Sequence, residues 1–565
     1  MLPGYNKTET FTMSKHGFVY RFRSPLGPPE ERSGAPPLYR RSVADGMIIE
    51  KDIAVTLRDG VRIYIDVFRP EDEQPAPPLI AWGPYGKHGH TNYHERFPNC
   101  GVKPEHFTKY CAFEAPDPGY WVPRGYAVIN ADIRGTWYAE GDATYLSPEE
   151  ALDYHDLIEW AGTQPWSNGK VGLSGVSYLA SSQWRVAETH PPHLAAINPW
   201  EGWADTYREV VRHGGIPETF FWPYLPGRWG MSTTRVEDLT LETQSRPFFD
   251  DYWRSKAADF SKIQAPAYIV ASWTDQGMHT RGTLEGFKRI ASKQKWLEVH
   301  GRKKWAYYYE PESVRRQQAF FDHFLKGIAS PLQDWPKVRL EVRERYYTGE
   351  FRHEQEWPLA RTRYTPLYLD AQARTLNYGP ITAQSSCHYH CEYVEENPDQ
   401  VVFNYRFDKT TDLIGHMKLR LWAAAEDADD MDIFVAVQKI GREGKVVPFA
   451  FWAHFENGPV ALGWIRASHR ELDPELSTDW QPVLHHQREL KLSPGEPVCL
   501  DIEIWPSGTR FEAGESLRLV IQGSDIYKYP KPTMADRHED SVNRGYHTVY
   551  TGGRYDSHLL VPVIL

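Results

Sequence analysis

Cysteine is scarce. Cys100, Cys111, Cys387, Cys391 and Cys499 are the five in 565 residues, an odd and sparse set that excludes a disulfide framework and suggests a reducing compartment. Long hydrophobic runs are absent: with no stretch of about 18 apolar residues, no membrane-spanning helix is expected. The opening MLPGYNKTETFTMSKHG lacks the apolar core of a secretory leader, so the cytoplasm is the expected location. Excess positive charge is the third absence. Lys and Arg number 64 against 75 Asp and Glu, a net charge of −11, which argues against sequence-independent nucleic-acid binding.

Aromatic residues are plentiful, with 21 Trp, 33 Tyr and 24 Phe, and imply large packed surfaces or apolar pockets. With 41% hydrophobic and 25% charged residues, most of the chain is ordered and globular. The length suggests roughly three or four structural units.

Residues 1–45, rich in Pro, Gly and Arg, read as an extended arm. Residues 47–70 alternate apolar and polar on both sides of Asp59-Gly60, a hairpin signal. Buried-strand runs then recur at 77–86, 125–135, 170–176 and 194–200, with helical spacing over 149–164 and after 177. This strand–helix alternation predicts a mostly parallel α/β sheet. Residues 201–262 break the rhythm and read as a helical insertion. The pattern resumes at 265–275 and 295–301, and FFDHFLKG closes the unit with a glycine stop. Beyond 331 the segments are short, alternating and separated by turns, which predicts an all-β sandwich, read as a jelly roll. The expected domains are therefore an arm (1–45), an α/β-hydrolase core (46–200 and 263–330), an inserted helical cap (201–262) and a C-terminal jelly roll (331–565).

The stretch Gly172-Leu-Ser-Gly-Val-Ser177-Tyr-Leu-Ala180 joins a buried strand to a helix through a tight turn. Such a turn exposes a serine Oγ and aims the next backbone N–H at the same point. The alternative is a serine that only caps the helix. The strict motif has glycine two residues after the serine, where this chain has Leu179. A nucleophilic serine needs a base and an orienting acid, which in this fold class follow it in the order Asp, His. Asp275, just past the strand ending in Ser272, fits the acid. His279 and His300 are the candidate bases. His279 lies only four residues after Asp275, so His300, at the end of the next strand, is preferred.

These segments resemble the X-Pro dipeptidyl-peptidase-like serine hydrolases, and within them the cocaine esterase and α-amino-acid ester hydrolase group. The likeness is carried by RDGVRIYIDVFRP, WGPYG, RGYAVINADIRGTWYAEG, IEWAGTQPWSNGKVGLSGVSYLA, SWTD, FFDHFLKG and PGEPVCLDIEIWPSGTRFEAGESLRLVI. It covers roughly residues 45–565. The resemblance implies the core, cap and jelly roll. It implies Ser177 as nucleophile, Asp275 as acid, and an oxyanion hole made by the Tyr178 N–H and the Tyr85 hydroxyl. The chain departs from that group in one place. There the histidine follows a Gly-Pro-Trp loop beyond the last strand, and the matching positions here are Lys303 and Lys304.

The aromatic stretch 220–230 lies in the expected cap, so Phe221, Trp222, Tyr224 and Trp229, with Trp82 beside the Tyr85 loop, are expected to line a substrate pocket. His88, His90 and His94 lie near Tyr85 at its mouth. Cys387-His-Tyr-His-Cys391 splits its donors between two strand faces, and the acidic run 426–432 reads as a solvated turn, so neither is taken as a metal site. No cofactor is expected. The expected activity is hydrolysis of a small ester, or amide, with a bulky apolar or aromatic acyl group. An acyltransferase or lactone-forming cyclase using the same serine, and a binding protein with a decayed triad, are the alternatives. The expected partner is the small-molecule substrate, without nucleic acid or membrane; homo-oligomerisation is left open.

Overall fold

The computed structural model describes residues 10–13, 17, 19–72, 74–87, 92–223, 231–529 and 537–565. Its central sheet uses Met47–Thr56 (β1), Arg62–Pro70 (β2), Pro78–Gly83 (β3), Ala127–Asp132 (β4), Val171–Val176 (β5), Leu194–Trp200 (β6), Ala267–Ser272 (β7), Lys295–His300 (β8) and Val338–Arg345 (β9). Hydrogen bonding places them in the order β1-β2-β4-β3-β5-β6-β7-β8-β9. β1 and β2 are antiparallel, joined across Asp59-Gly60, where Gly60 takes φ +88°. From β4 onward every pairing is parallel. Every residue of β3, β4, β5 and β7 is buried, which explains their near-continuous apolar sequence: a parallel sheet is covered on both faces.

The covering helices include Pro148–Gly162 (α1), Tyr178–Ala187 (α2), Thr280–Arg289 (α3), Lys304–Tyr308 (α4) and Pro311–Lys326 (α5). α1 starts at Ser147, whose Oγ accepts from the Glu150 N–H at 3.0 Å. Pro148 and two glutamates fill its first turn. Every residue of α2 is buried, so this helix runs through the interior. α5 ends at Gly327 with φ +69°.

Residues 201–262 contain a single turn of π-helix, short helices at Leu239–Ser245 and Asp251–Ser255, and two-residue strands. One of these, Val236–Glu237, pairs with Val19–Arg23 of the N-terminal stretch, whose Tyr20 and Phe22 are buried. Part of the expected extended arm is thus a strand packed against the body of the protein. Beyond β9 the chain is built of mostly antiparallel strands with a core of their own, dominated by the pair Thr411–Ala425 and Val498–Phe511. β9 links the two regions: it is parallel to β8, antiparallel to Thr348–Glu354, and meets Thr509 through Arg343. Among the described residues no helix is long and apolar enough to cross a membrane.

Candidate active site

β5 ends at Val176 and α2 begins at Tyr178, leaving Ser177 alone in the turn. Ser177 has φ +61° and ψ −116°, a conformation that costs a non-glycine residue about 1–3 kcal/mol. Its surroundings enforce that conformation. The Ser177 N–H donates to Trp200 O at 3.0 Å, and its carbonyl accepts from the N–H groups of Ala180 and Ser181. Gly175 makes the turn possible: a Cβ there would lie 2.5 Å from Leu179 Cβ. Leu179 thus fills the space opened by Gly175.

Ser177 Oγ lies 3.1 Å from His279 Nε2. The His279 Nδ1 is hydrogen-bonded to Asp275 Oδ2. Asp275 follows β7, and its backbone carbonyl accepts from the N–H groups of Met278, His279 and Thr280. This one-turn reversal swings His279, the residue before α3, back across the strand ends toward Ser177. Trp203 stacks on the imidazole, with centroids 5.6 Å apart. The Lys304 Nζ, at the start of α4, lies 2.8 Å from Asp275 Oδ2 and 3.2 Å from His279 Nδ1. All three side chains are buried. Burial works against the Asp275 charge, but Lys304 and His279 outweigh it and hold its carboxyl below the usual range. Burial and then Lys304 lower the His279 imidazole, against the pull of Asp275.

His300 is not the partner of Ser177. Its Nε2 bonds Glu201 Oε1 at 3.1 Å, and its Nδ1 accepts from the Arg302 N–H at 3.1 Å. As the last residue of β8 it pairs in register with Ser272, which orients it toward the end of β6, where Glu201 also accepts from Ser272 Oγ at 2.6 Å. The i, i+4 spacing of Asp275 and His279 is the signal that would have singled out His279 as the histidine facing Ser177, since it brings two side chains onto one face.

The Tyr85 phenol lies beside Ser177 and Glu114 in the same cavity, and burial pushes it well above its ordinary value. Glu114 is buried, accepts from Trp305 Nε1 at 2.7 Å, and is pushed up to about 8 by burial. Tyr178 directs its own hydroxyl away, to Glu150 Oε2 at 2.7 Å. Its backbone N–H opens α2, directly after Ser177. Tyr85, Glu114, Ser177, Phe221, Lys304 and Trp452 line one cavity.

Of the expected pocket aromatics, Phe221 lines the cavity. Trp82 does not: it is fully buried, donates to Glu150 Oε1 at 2.9 Å and stacks on Tyr154, because β3 is covered on both faces. Trp222 packs edge-on against Trp203, behind the His279 imidazole. Tyr224, Trp229, His88 and His90 lie outside the described residues, and His94 is exposed.

The Asp275–His279 loop is also tied to the C-terminal strands. Gln276 Nε2 donates to Pro506 O at 3.1 Å, and its Oε1 accepts from the Leu462 N–H at 3.1 Å. The Trp452 indole donates to Gln276 O at 3.1 Å. Gly277 O accepts from His213 Nε2 at 2.7 Å. His213 Nδ1 faces His538 Nε2 at 2.8 Å, and His538 Nδ1 faces Asp525 Oδ1 at 2.8 Å. A carbonyl only accepts, so His213 Nε2 carries its proton and Nδ1 is an acceptor. His538 Nε2 must then donate, and its Nδ1 meets a carboxylate. The two histidines shift in opposite senses: burial and the neighbouring imidazole press His213 to about 3, while Asp525 overcomes burial and raises His538.

The family model of the X-Pro dipeptidyl-peptidase (S15 family) matches residues 59–226. That of the X-Pro dipeptidyl-peptidase C-terminal non-catalytic domain matches 332–560. The cocaine esterase of a Rhodococcus species is 28% identical over 57% of this chain, an alignment spanning 62% of that enzyme, which is under two thirds of its length. A putative serine esterase of Mycobacterium bovis is 31% identical over 83% of this chain and 90% of its own. The crystal structure of a CocE/NonD family hydrolase from Staphylococcus aureus matches with a TM-score of 0.90 and 43% identity, over 96% of this chain and 100% of that one. An α-amino acid ester hydrolase shares the fold, with a TM-score of 0.69 at 16% identity. The chain belongs to the X-Pro dipeptidyl-peptidase-like family of serine hydrolases that includes the CocE/NonD hydrolases.

Proposed function

We propose that this family member is an esterase that works through an acyl-enzyme on Ser177, with His279 as base and Asp275 as the orienting acid. The observation that carries the reading is that Ser177 Oγ lies in hydrogen-bond reach of His279 Nε2 while the other nitrogen of the same ring, Nδ1, is hydrogen-bonded to Asp275 Oδ2. Ser177 Oγ attacks the ester carbonyl as its proton passes to His279 Nε2. The negative charge forming on the carbonyl oxygen is met by the Tyr85 hydroxyl and the Tyr178 N–H, aimed there before reaction begins. The imidazolium returns its proton to the leaving alkoxide, which departs as the alcohol. Water, deprotonated by His279, then attacks the acyl-enzyme and releases the acid.

The cavity combines Phe221 and Trp452 with the reacting serine, which favours a bulky apolar or aromatic acyl group. On the same footing we read residues 46–200 and 263–330 as the hydrolase core, 201–262 as its cap, 331–565 as a jelly roll and 1–45 as the arm.

An alkyl fluorophosphonate tests the chemistry and a panel of p-nitrophenyl esters tests the substrate. Stoichiometric labelling of Ser177, absent in Ser177→Ala, is expected, with aromatic acyl esters turned over faster than X-Pro p-nitroanilides. Folded wild-type protein that resists the probe, or labelling that persists in Ser177→Ala, overturns the reading.

A further inference from the structure

The Ser177–His279–Asp275 run has a fourth charged member that a serine–histidine–aspartate site does not require. Lys304 contributes an ammonium 2.8 Å from the same carboxylate oxygen that holds the imidazole, and 3.2 Å from the imidazole nitrogen itself. The Lys304 side chain is 6% exposed and that of Asp275 is wholly buried. The other Asp275 oxygen, Oδ1, has no hydrogen-bond partner among the described residues. A buried carboxylate with one bare oxygen is costly unless a charge compensates it, and the ammonium is that charge.

We infer that Lys304 is a positioning residue for this site, a buried cation that holds the Asp275 carboxylate in place and opposes the positive charge His279 acquires when it accepts the serine proton. The inference rests on the triad reading above. His279 Nδ1 must donate its proton to Asp275, so Lys304 acts on the imidazole through charge and not through a hydrogen bond.

The consequence follows from the charges facing His279. Asp275 lies on its own loop, Glu201 at the end of β6 and Lys304 at the start of α4; Glu114 beyond it, pushed up to about 8, is neutral in this range, as are the hydroxyls of Ser177 and Tyr85 that complete the surroundings. His454 and Lys303 lie further out along the Lys304 side. Without Lys304, the carboxylates would favour the imidazolium. With it, the Asp275–Lys304 pair is neutral, and burial dominates. His279 therefore stays an unprotonated base below the ordinary histidine value of 6.5. It also becomes a stronger acid when it hands its proton to the leaving group.

The test is the pH profile of fluorophosphonate labelling at Ser177 in the full chain, for wild type, Lys304→Met and Lys304→Arg. The acid limb of Lys304→Met is expected about one unit above that of wild type, while Lys304→Arg, which keeps the charge, stays within a few tenths of a unit of it. A uniform fall in rate at every pH with an unmoved limb would mean that Lys304 is only structural, and overturns the inference. Because Lys304→Met leaves Asp275 buried without its cation, the histidine-labelled wild-type protein is titrated by NMR as well. A His279 resonance titrating below 6.5 supports the inference, and one at or above it overturns it. Failure of the triad reading is distinguishable: His279→Ala would then label as fast as wild type.

Discussion

His279 follows Asp275 by four residues, and that single turn brings the carboxylate of one onto the imidazole of the other. The proposed acid and base thus come from one loop after one strand, and only the proposed nucleophile is brought in from elsewhere. The constellation depends on two local turns: the reversal at Asp275–Thr280 and the strained bend at Ser177.

Replacing the two histidines separates their roles. His279→Ala should slow acyl-enzyme formation by about 10⁴-fold or more, since members of such a unit fail together. His300→Ala should leave that rate within about tenfold. It should instead lower stability by about 2 kcal/mol, because the buried Glu201 loses one hydrogen bond while keeping that of the Ser272 hydroxyl. Pre-steady-state p-nitrophenol release and thermal melting distinguish the two.

Tyr85→Phe removes one of the two proposed oxyanion donors and keeps the ring. The expected loss in kcat is about 10²–10³-fold with KM little changed, because the donor acts on charge that appears only as the carbonyl is attacked. Steady-state kinetics on a p-nitrophenyl ester suffice.

Glu114 gives a pH signature of stability. Its folded value, about 8, lies above the ordinary 4.5, so between those values the folded state holds a proton that the unfolded state has released. Stability is therefore lost as pH rises through that window, by a few kcal/mol in all. Glu114→Gln removes the effect. Relative to wild type, its melting temperature should rise steadily from pH 5 to pH 8.

Gln276→Ala cuts the side-chain tie between the acid–base loop and Pro506 and Leu462 without touching a reacting group. The expected outcome is a drop of about tenfold in kcat with a native circular dichroism spectrum, as a small displacement of the base is enough to slow the reaction.

Most of the hydrolase sheet was legible because its strands are buried on both faces and read as uninterrupted apolar runs between turn signals. Ser177 was legible for the same reason: a strand, a tight turn and a helix meet there. His300 misled because a strand-end histidine looks identical in sequence whether it faces a serine or a buried glutamate, and Glu201 lies 99 positions away. Trp82 misled similarly, since proximity to Tyr85 along the chain says nothing about which side of a covered strand a ring occupies. Lys304 stood out in the sequence as a departure, but its meaning needed the fold, which alone brings it onto Asp275.

The line Asp525, His538, His213, Gly277 can be read in only one direction. Each donor along it is obliged by the acceptor beyond, so a proton on the wrong nitrogen anywhere would set two hydrogens or two lone pairs face to face. The Gly277 carbonyl therefore fixes the proton on His213 beside the Asp275–His279 loop, and the far end of the line is anchored by the Asp525 carboxylate among the C-terminal strands, just past Ser516–Gln522. Those strands supply none of the proposed reacting atoms, yet they carry the instruction for how the loop is held. A hydrolase sheet cut free of them would keep every proposed reacting residue and lose the grammar that arranges them.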